Sequence, residues 1–204
     1  MNGGSRLGDR TLSTPRYLVG FDPKRIPHYF ADVLIVGGGV AGLRAALAVN
    51  PSLSTIVVTK DALGESNSNY AQGGIASVTA PDDSFQDHIQ DTLTAGGALC
   101  DRRIVETVVR AAPELIAELI SWGTEFDSDH GELQLGREGG HAHHRILHAM
   151  GDATGREIMR ALHSRARGAR NVSLWQHTFT LDLLVHEGLC RGALLWNAGH
   201  GRTL

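Results

Sequence analysis

A glycine-rich turn between a short apolar strand and a helix constrains the fold of this chain more than any other feature. The strand is predicted over Ala31–Val36, the turn over Gly37–Gly42, and a helix rich in Ala and Leu over Leu43–Val49. A second apolar strand, Thr55–Thr59, completes a β-turn-α-β unit. Apolar runs of this kind are typical of parallel strands that are buried on both faces, so an α/β protein is expected.

Three glycines of the turn match a GxGxxG pattern, and each has its own physical role. Gly37 permits a tight turn, Gly39 lets the backbone approach a pyrophosphate, and Gly42 lets the helix and the strand pack closely. The pattern is weak by itself, but the preceding strand and the following helix give it the context that a dinucleotide site requires. The residues expected to contact the dinucleotide here are Gly37, Gly38, Gly39, Val40, Ala41 and Gly42.

The end of the second strand lacks the acidic residue that usually binds the ribose of a dinucleotide. Thr59 and Lys60 stand there, and Asp61 comes slightly too late. This departure argues against a simple NAD dehydrogenase and against the many flavoproteins that carry Glu at this position. Taken alone, Lys60 is equally compatible with a solvated surface.

A polar segment downstream resembles, together with this Thr-Lys strand end, the flavoprotein family of succinate dehydrogenase, fumarate reductase and L-aspartate oxidase. The segment reads SNYAQGGIA over Ser68–Ala76, and AQGGIA is far more specific than the glycine pattern. The resemblance covers residues 31–197 and implies FAD as the cofactor. It implies FAD contacts from Lys60, Asn67, Ser68, Asn69, Tyr70, Ala71, Gln72, Gly73 and Gly74.

Within that family, three further strings resemble the L-aspartate oxidases rather than the respiratory enzymes. The respiratory members usually carry a His just before AQGG that bonds covalently to the flavin. Asn67 stands at that place here, which implies that FAD is bound without a covalent bond. The three strings are REGGH at Arg137–His141, RILH at Arg145–His148 and DATGRE at Asp152–Glu157.

The resemblance assigns two residues of the first string to the substrate. Glu138 would orient the ammonium group of an amino dicarboxylate, which succinate lacks. His141 would help Arg137 and Arg145 to build a positive wall for the carboxylates. Glu138 is also compatible with a surface ion pair with Arg137.

Four histidines in this region allow three interpretations: a metal site, a set of polar loop residues, or part of the positive wall together with Arg137 and Arg145. The resemblance supports the third interpretation, most strongly for His141. The spacing of the histidines can hold zinc, but no Cys lies nearby and one carboxylate does not complete a site. We therefore expect no metal. The four residues are His141, His143, His144 and His148.

The activity that the resemblance implies is FAD-dependent oxidation of L-aspartate to iminoaspartate, the first step of NAD synthesis through quinolinate. Oxygen or fumarate would accept the electrons, and quinolinate synthase would be a functional partner. A fumarate reductase or succinate dehydrogenase flavoprotein subunit, or an inactive FAD-binding fragment, are the alternatives. Family members continue with a capping domain, which supplies the catalytic Arg, and a helical C-terminal region. Residues 1–204 are therefore expected to be an N-terminal fragment, and the catalytic residue is unknown.

The expected organisation is an N-terminal extension over residues 1–30 and the first part of an FAD-binding domain over residues 31–204. The fold class is α/β, an incomplete Rossmann-like FAD/NAD(P)-binding fold with inserted helices and β-hairpins. Apolar spacing predicts helices over Ser84–Ala95 and after a cap at Asp101 or its neighbour, and Pro113 is predicted to begin a further helix.

Composition excludes several kinds of partner. The formal net charge is −3 with scattered Lys and Arg, which argues against nucleic acid. No apolar run reaches the ~18 residues of a membrane span, so no membrane partner is expected. The first 30 residues lack the apolar core of a signal peptide, so a cytoplasmic location is expected.

Overall fold

The structure is a computed structural model that describes residues 16–204, so half of the expected N-terminal extension, residues 1–15, lies outside the described residues. The helices are α1 (Val40–Ala48), α2 (Phe85–Gly96), α3 (Arg102–Ser121) and α4 (Thr154–Gly168), with a 3-10 turn at Gly97–Leu99. The strands are β1 (Val33–Val36), β2 (Thr55–Val58), β3 (Ile75–Ala76), β4 (Ser128–Asp129), β5 (Glu132–Leu133), β6 (Leu135–Gly136), β7 (Ile146–Leu147), β8 (Val172–Trp175), β9 (Thr178–His186), β10 (Leu189–Asn197) and β11 (Arg202–Thr203).

A parallel sheet in the order β1-β2-β8 carries the predicted β-turn-α-β unit. Val33 pairs with Thr55, and Thr55 pairs in turn with Val172, so β2 is the central strand. Helices α1 and α4 pack on each other beside this sheet. Leu43, Met159, Leu162 and Ala166 form their shared buried core. The α/β, Rossmann-like prediction is confirmed.

A smaller antiparallel sheet in the order β3-β7-β6 lies where the polar segment and the REGGH string meet. Leu147 of the middle strand pairs with Ile75 on one side and with Leu135 on the other. Leu147 is fully buried and belongs to a second core cluster with Ile116. This sheet fixes the distance between the two candidate site segments.

Helix α3 is continuous through Pro113, so the prediction of a separate helix starting at Pro113 is wrong. Asp101 caps the N-terminus of α3 as expected, since its carboxylate accepts hydrogen bonds from the N–H groups of Arg103 and Ile104. The buried residues Val109 and Ile116 lie on one face, on either side of the proline. Positions seven residues apart are about two helical turns apart and lie on the same face of the helix. The packing of this apolar face outweighs the loss of the backbone hydrogen bond that the proline removes.

Residues 16–30 lie against the hairpin that β9 and β10 form. The N–H of Leu18 donates a hydrogen bond of 2.7 Å to Asp182 Oδ2. The ring of Tyr29 packs edge-on against Trp175, with 4.8 Å between the centroids. The short strand β11 adds to β10 on its other side. None of the helices between residues 16 and 204 is long and apolar enough to cross a membrane.

Candidate cofactor and substrate site

The glycine-rich turn has the geometry that its sequence predicts. Gly37 adopts a φ of +113°, a conformation that L side chains rarely adopt, and its N–H donates to Val58 O at 2.9 Å. A Cβ on Gly42 would lie 1.9 Å from Gly37 O. No larger residue fits at position 42 without moving the turn, and this close approach holds the helix start against the end of β1.

The N-terminus of α1 is suited to an anion. Gly39 is the N-cap and offers no side chain to the first turn, which contains no acidic residue. The N–H of Val40 donates only to Ser68 Oγ, at 3.2 Å, and Val40 and Ala41 are exposed. Unpaired N–H groups at the positive end of a helix bind phosphate groups. These residues therefore fit the pyrophosphate of an adenine dinucleotide.

The polar segment Ser68–Gly74 passes directly across this helix start, and Gly155 holds it there. The N–H of Gly155 donates to Ala71 O at 2.9 Å. A Cβ on Gly155 would lie 2.1 Å from Ser68 O and 2.7 Å from Ala71 O. Sequence reasoning did not include Gly155 among the site residues. The glycine of the DATGRE string was the signal that could have identified it.

The other predicted cofactor residues lie around the same edge of the sheet. Lys60 is exposed and follows Thr59, the first residue after β2. Among the loop residues, Asn69 donates its N–H to Ser66, and the hydroxyl of Tyr70 contacts Glu65. The side chain of Tyr70 is therefore engaged within the loop. The remaining exposed positions of this loop are Asn67, Ala71, Gln72 and Gly73.

A single side chain, that of His148, lies between Glu138 and the polar segment. The Nε2 atom of His148 lies 2.9 Å from Glu138 Oε1. A Cβ on Gly74 would lie 2.8 Å from the same Nε2 atom. The candidate cofactor segment and the candidate substrate segment thus meet at the imidazole of His148. The sequence placed this residue among the four histidines of the expected positive wall and did not indicate its contact with Glu138.

The expectation that Arg145 contributes to a positive wall is wrong. Its side chain is 0% exposed, and it binds Asp83 in two contacts of 2.8 and 2.6 Å and Asp91 in a third of 2.7 Å. Burial alone would raise the pKa of Asp83, but hydrogen bonds from Arg145 hold it below its ordinary value. Two carboxylates neutralise the guanidinium, so Arg145 fixes the loop and offers no charge to a ligand.

His141 lies at the edge of this buried cluster. Its Nδ1 is 3.4 Å from Arg145 Nη1, and its ring centroid is 5.6 Å from that of His88. His88 is buried, and burial, followed by the charges of Arg145 and His141, lowers its pKa. The next residue, Ala142, donates its N–H to Asp91 at 2.8 Å, which ties the REGGH loop to α2.

Ligand atoms of Asp83, Asp87 and His143 lie within 4.8 Å of one another, a spacing that a metal ion can bridge. Both carboxylate oxygens of Asp83 already accept hydrogen bonds from Arg145. A cation there would compete with a buried arginine, so this arrangement is better explained as ion pairing between α2 and the loop.

The chain is similar in sequence to L-aspartate oxidases of plants and bacteria. The chain is 49% identical over 158 residues to the chloroplastic L-aspartate oxidase of Oryza sativa, covering 77% of this chain and 24% of that protein. It is 46% identical over 177 residues to the L-aspartate oxidase of Streptomyces coelicolor, covering 84% of this chain and 30% of that protein. The chain therefore spans about a quarter to a third of the length of the curated relatives that it matches.

Solved structures give the same fold. A variant of E. coli quinol fumarate reductase matches with a TM-score of 0.78 and 33% identity, over 82% of this chain and 29% of that one. The family model described as FAD binding domain matches residues 32–204. With this match over most of its length, and with a glycine-rich turn at a helix start that is suited to an anion, the chain belongs to the FAD-binding domain family.

Proposed function

We propose that this chain forms the FAD-binding and substrate-contacting first part of an L-aspartate oxidase, which oxidises L-aspartate to iminoaspartate. The observation that carries the proposal is the meeting of Glu138 with Gly74 through His148. A carboxylate at the cofactor segment provides what an ammonium group requires, a charged acceptor of its hydrogen bonds. When bound, FAD would accept the electron pair of the oxidation.

The residues of this chain would bind and orient the reactants. The α1 N-terminus and Gly39 would hold the pyrophosphate, and Gly73 would let the backbone pass close to the flat ring. Glu138 would orient the ammonium of the substrate, and His141 would contact a carboxylate. By resemblance to the family, the catalytic residue would be an Arg of the capping domain.

Several parts of the proposal follow from the enzyme class. Oxygen or fumarate would be the electron acceptor, FAD would be bound without a covalent bond, and iminoaspartate would pass to quinolinate synthase. A cytoplasmic location stays a prediction. The alternative activity, a fumarate reductase or succinate dehydrogenase subunit, has the fold similarity in its favour. Glu138 favours aspartate, because succinate and fumarate have no ammonium to bind.

Flavin retention by residues 1–204 is the test of the cofactor site. The chain is mixed with FAD, excess flavin is removed, and bound flavin is measured by absorbance. Gly39→Asn and Gly39→Asp provide a matched pair, since both add the same bulk 3.2 Å from Ser68 Oγ and only one adds charge. We expect FAD to bind at least about 10-fold more weakly to the Asp variant than to the Asn variant, because a carboxylate repels the pyrophosphate.

Difference spectra then test the substrate. L-aspartate and succinate are titrated against the FAD-loaded chain, and the flavin absorbance is followed. Tighter binding of L-aspartate supports the oxidase, and tighter binding of succinate supports the fumarate reductase alternative. Folded chain that retains no flavin would mean that this chain is not itself a flavoprotein and would also rule out the third alternative, an inactive FAD-binding fragment.

A further inference from the structure

The side chain of His148 fills a slot between two glycines, Gly74 just before β3 and Gly136 at the end of β6. His148 directly follows β7, the middle strand of the small sheet, and Gly74 and Gly136 lie on either side of it. A Cβ on Gly74 would lie 2.8 Å from His148 Nε2, and a Cβ on Gly136 would lie 3.0 Å from Cε1. On the Gly74 side, Ile146 Cγ2 and Leu147 O also lie close to the same Cβ position, at 2.2 and 2.7 Å. The imidazole therefore packs tightly against both glycines, and its ring is held in one orientation.

That orientation directs Nε2 toward Glu138. The Nε2 to Oε1 distance is 2.9 Å, and the side chains of His148 and Glu138 are 26% and 51% exposed. A hydrogen bond from Nε2 uses one lone pair of Oε1 and leaves Oε2 able to accept from another donor. The half-exposed carboxylate is thus fixed on the protein side and open on the solvent side.

We propose that His148 is a positioning residue, which holds Glu138 beside Gly74 and makes the site selective for an amino dicarboxylate over its deaminated counterpart. The inference rests on the proposed function, because it requires that the dicarboxylate lies beside the Gly73–Gly74 segment. An ammonium offers three donors to a carboxylate, whereas the corresponding methylene of succinate offers none. Without the imidazole, the long Glu138 side chain would regain its rotamer freedom in solvent and lose this preference.

Two substitutions at position 148 separate the hydrogen bond from the filling of the slot. His148→Phe retains a ring between the two glycines and removes the donor, whereas His148→Gln retains a donor. His144→Phe is the matched control, because His144 lies just before β7, at the opposite end of that strand from His148, and its Nδ1 is 3.2 Å from Leu135 O instead of Glu138. Each variant of residues 1–204 is loaded with FAD and titrated with L-aspartate and with succinate.

The measured quantity is the ratio of the two dissociation constants. In His148→Phe we expect the preference for L-aspartate to fall about 10-fold, the loss typical of one charge-assisted hydrogen bond. His148→Gln should retain most of the preference, and the His144→Phe ratio should match that of the unchanged chain. A His148→Phe variant that prefers L-aspartate as strongly as the unchanged chain would overturn the role of His148 and leave the proposed function intact.

A second readout needs no cofactor. The ring nitrogens of His148 are observed by ¹⁵N NMR in the unchanged chain and in Glu138→Ala. We expect the Nε2 resonance to move and the Nδ1 resonance to change less, because Nε2 is the atom that faces Glu138. An unmoved Nε2 resonance overturns the contact itself. If the contact is present but the unchanged chain binds neither dicarboxylate, the proposed function fails, and the selectivity role fails with it.

Discussion

Gly155 and Ser68 lie so close that a Cβ on Gly155 would be 2.1 Å from Ser68 O. This approach lets the start of α4 hold the polar segment across the start of α1. Gly155→Ala must therefore displace Ser68 and Ala71, since backbone oxygens on two residues block the methyl group. We expect FAD to bind at least about 10-fold more weakly, because a loss of about 1.4 kcal/mol in binding free energy already lowers the affinity 10-fold.

Fluorescence titration with FAD measures this effect. Gly168→Ala is the control, because Gly168 ends the same helix and has nothing within 4 Å of its Cβ position. Equal FAD affinity in Gly155→Ala and the unchanged chain would show that the polar segment does not contact the cofactor.

Gly73→Ala tests whether the backbone at this position approaches the flavin. A Cβ on Gly73 has nothing within 4 Å in the protein alone, so urea unfolding should give a free energy within about 0.5 kcal/mol of the unchanged chain. FAD affinity should fall, because the methyl group would occupy the space of the flat ring. If both quantities stay the same, Gly73 faces solvent in the loaded protein as well.

Arg145→Leu tests the buried ion cluster. We expect a loss of about 3–5 kcal/mol in the free energy of unfolding, because Asp83 and Asp91 would be left without their shared partner. The triple variant with Asp83→Asn and Asp91→Asn should recover part of that loss. Arg102→Leu is the control: Arg102 pairs with Glu106 on the surface, with side chains 56% and 40% exposed, so less than about 1 kcal/mol should be lost. Equal losses in both single variants would contradict the prediction.

The pH dependence of stability should reveal the buried His88. Burial, followed by the charges of Arg145 and His141, lowers its pKa in the folded chain below the ordinary value of 6.5. As pH falls through 6.5, the unfolded chain therefore takes up this proton first. The stability contribution is complete above the unfolded pKa and is lost as pH falls toward the folded pKa.

We expect the free energy of unfolding to decrease from pH 7 to pH 5, and His88→Leu to make this decrease less steep. His130→Asn is the control, because the His130 side chain is 95% exposed and its positive φ suits Asn. A slope that His88→Leu leaves unchanged would mean that His88 is protonated equally in both states. His163, whose pKa burial also lowers, would then be the next residue to replace.

Pro113→Ala should stabilise the chain. Proline in a helix interior removes the hydrogen bond to Val109 O, four residues earlier, and costs up to about 3 kcal/mol. Alanine restores the donor, although the more flexible unfolded chain offsets part of the gain. Thermal unfolding measures the result, and a lower midpoint would mean that the proline ring itself contributes to the packing of α3.

The sequence by itself determined the β-turn-α-β unit, because the residues that specify this unit lie next to one another in the chain. Strand, glycine turn and helix over residues 31–49 are contiguous, and Gly37 and Gly42 have steric roles that follow from their spacing. The resemblance carried by AQGGIA and REGGH added FAD as the cofactor and the expectation of a dicarboxylate substrate. A cap near Asp101 could be predicted for the same reason, since a capping side chain accepts hydrogen bonds from residues two and three positions later in the chain.

Only the tertiary structure decided which distant residues meet. Arg145 looked like a free positive charge because Asp83 and Asp91 lie far away in the chain, and burial against α2 turned it into a structural ion cluster. The sequence predicted a helix start at Pro113 because proline is favoured in the first turn of helices. The helix continues through Pro113 because Val109 and Ile116 are packed on one buried face. The approach of Gly155 to Ser68 and of His148 to Glu138 depends on how sheet and helices fold back on each other. Local rules say nothing about such contacts, because their energy is realised only when segments far apart in the chain are packed together.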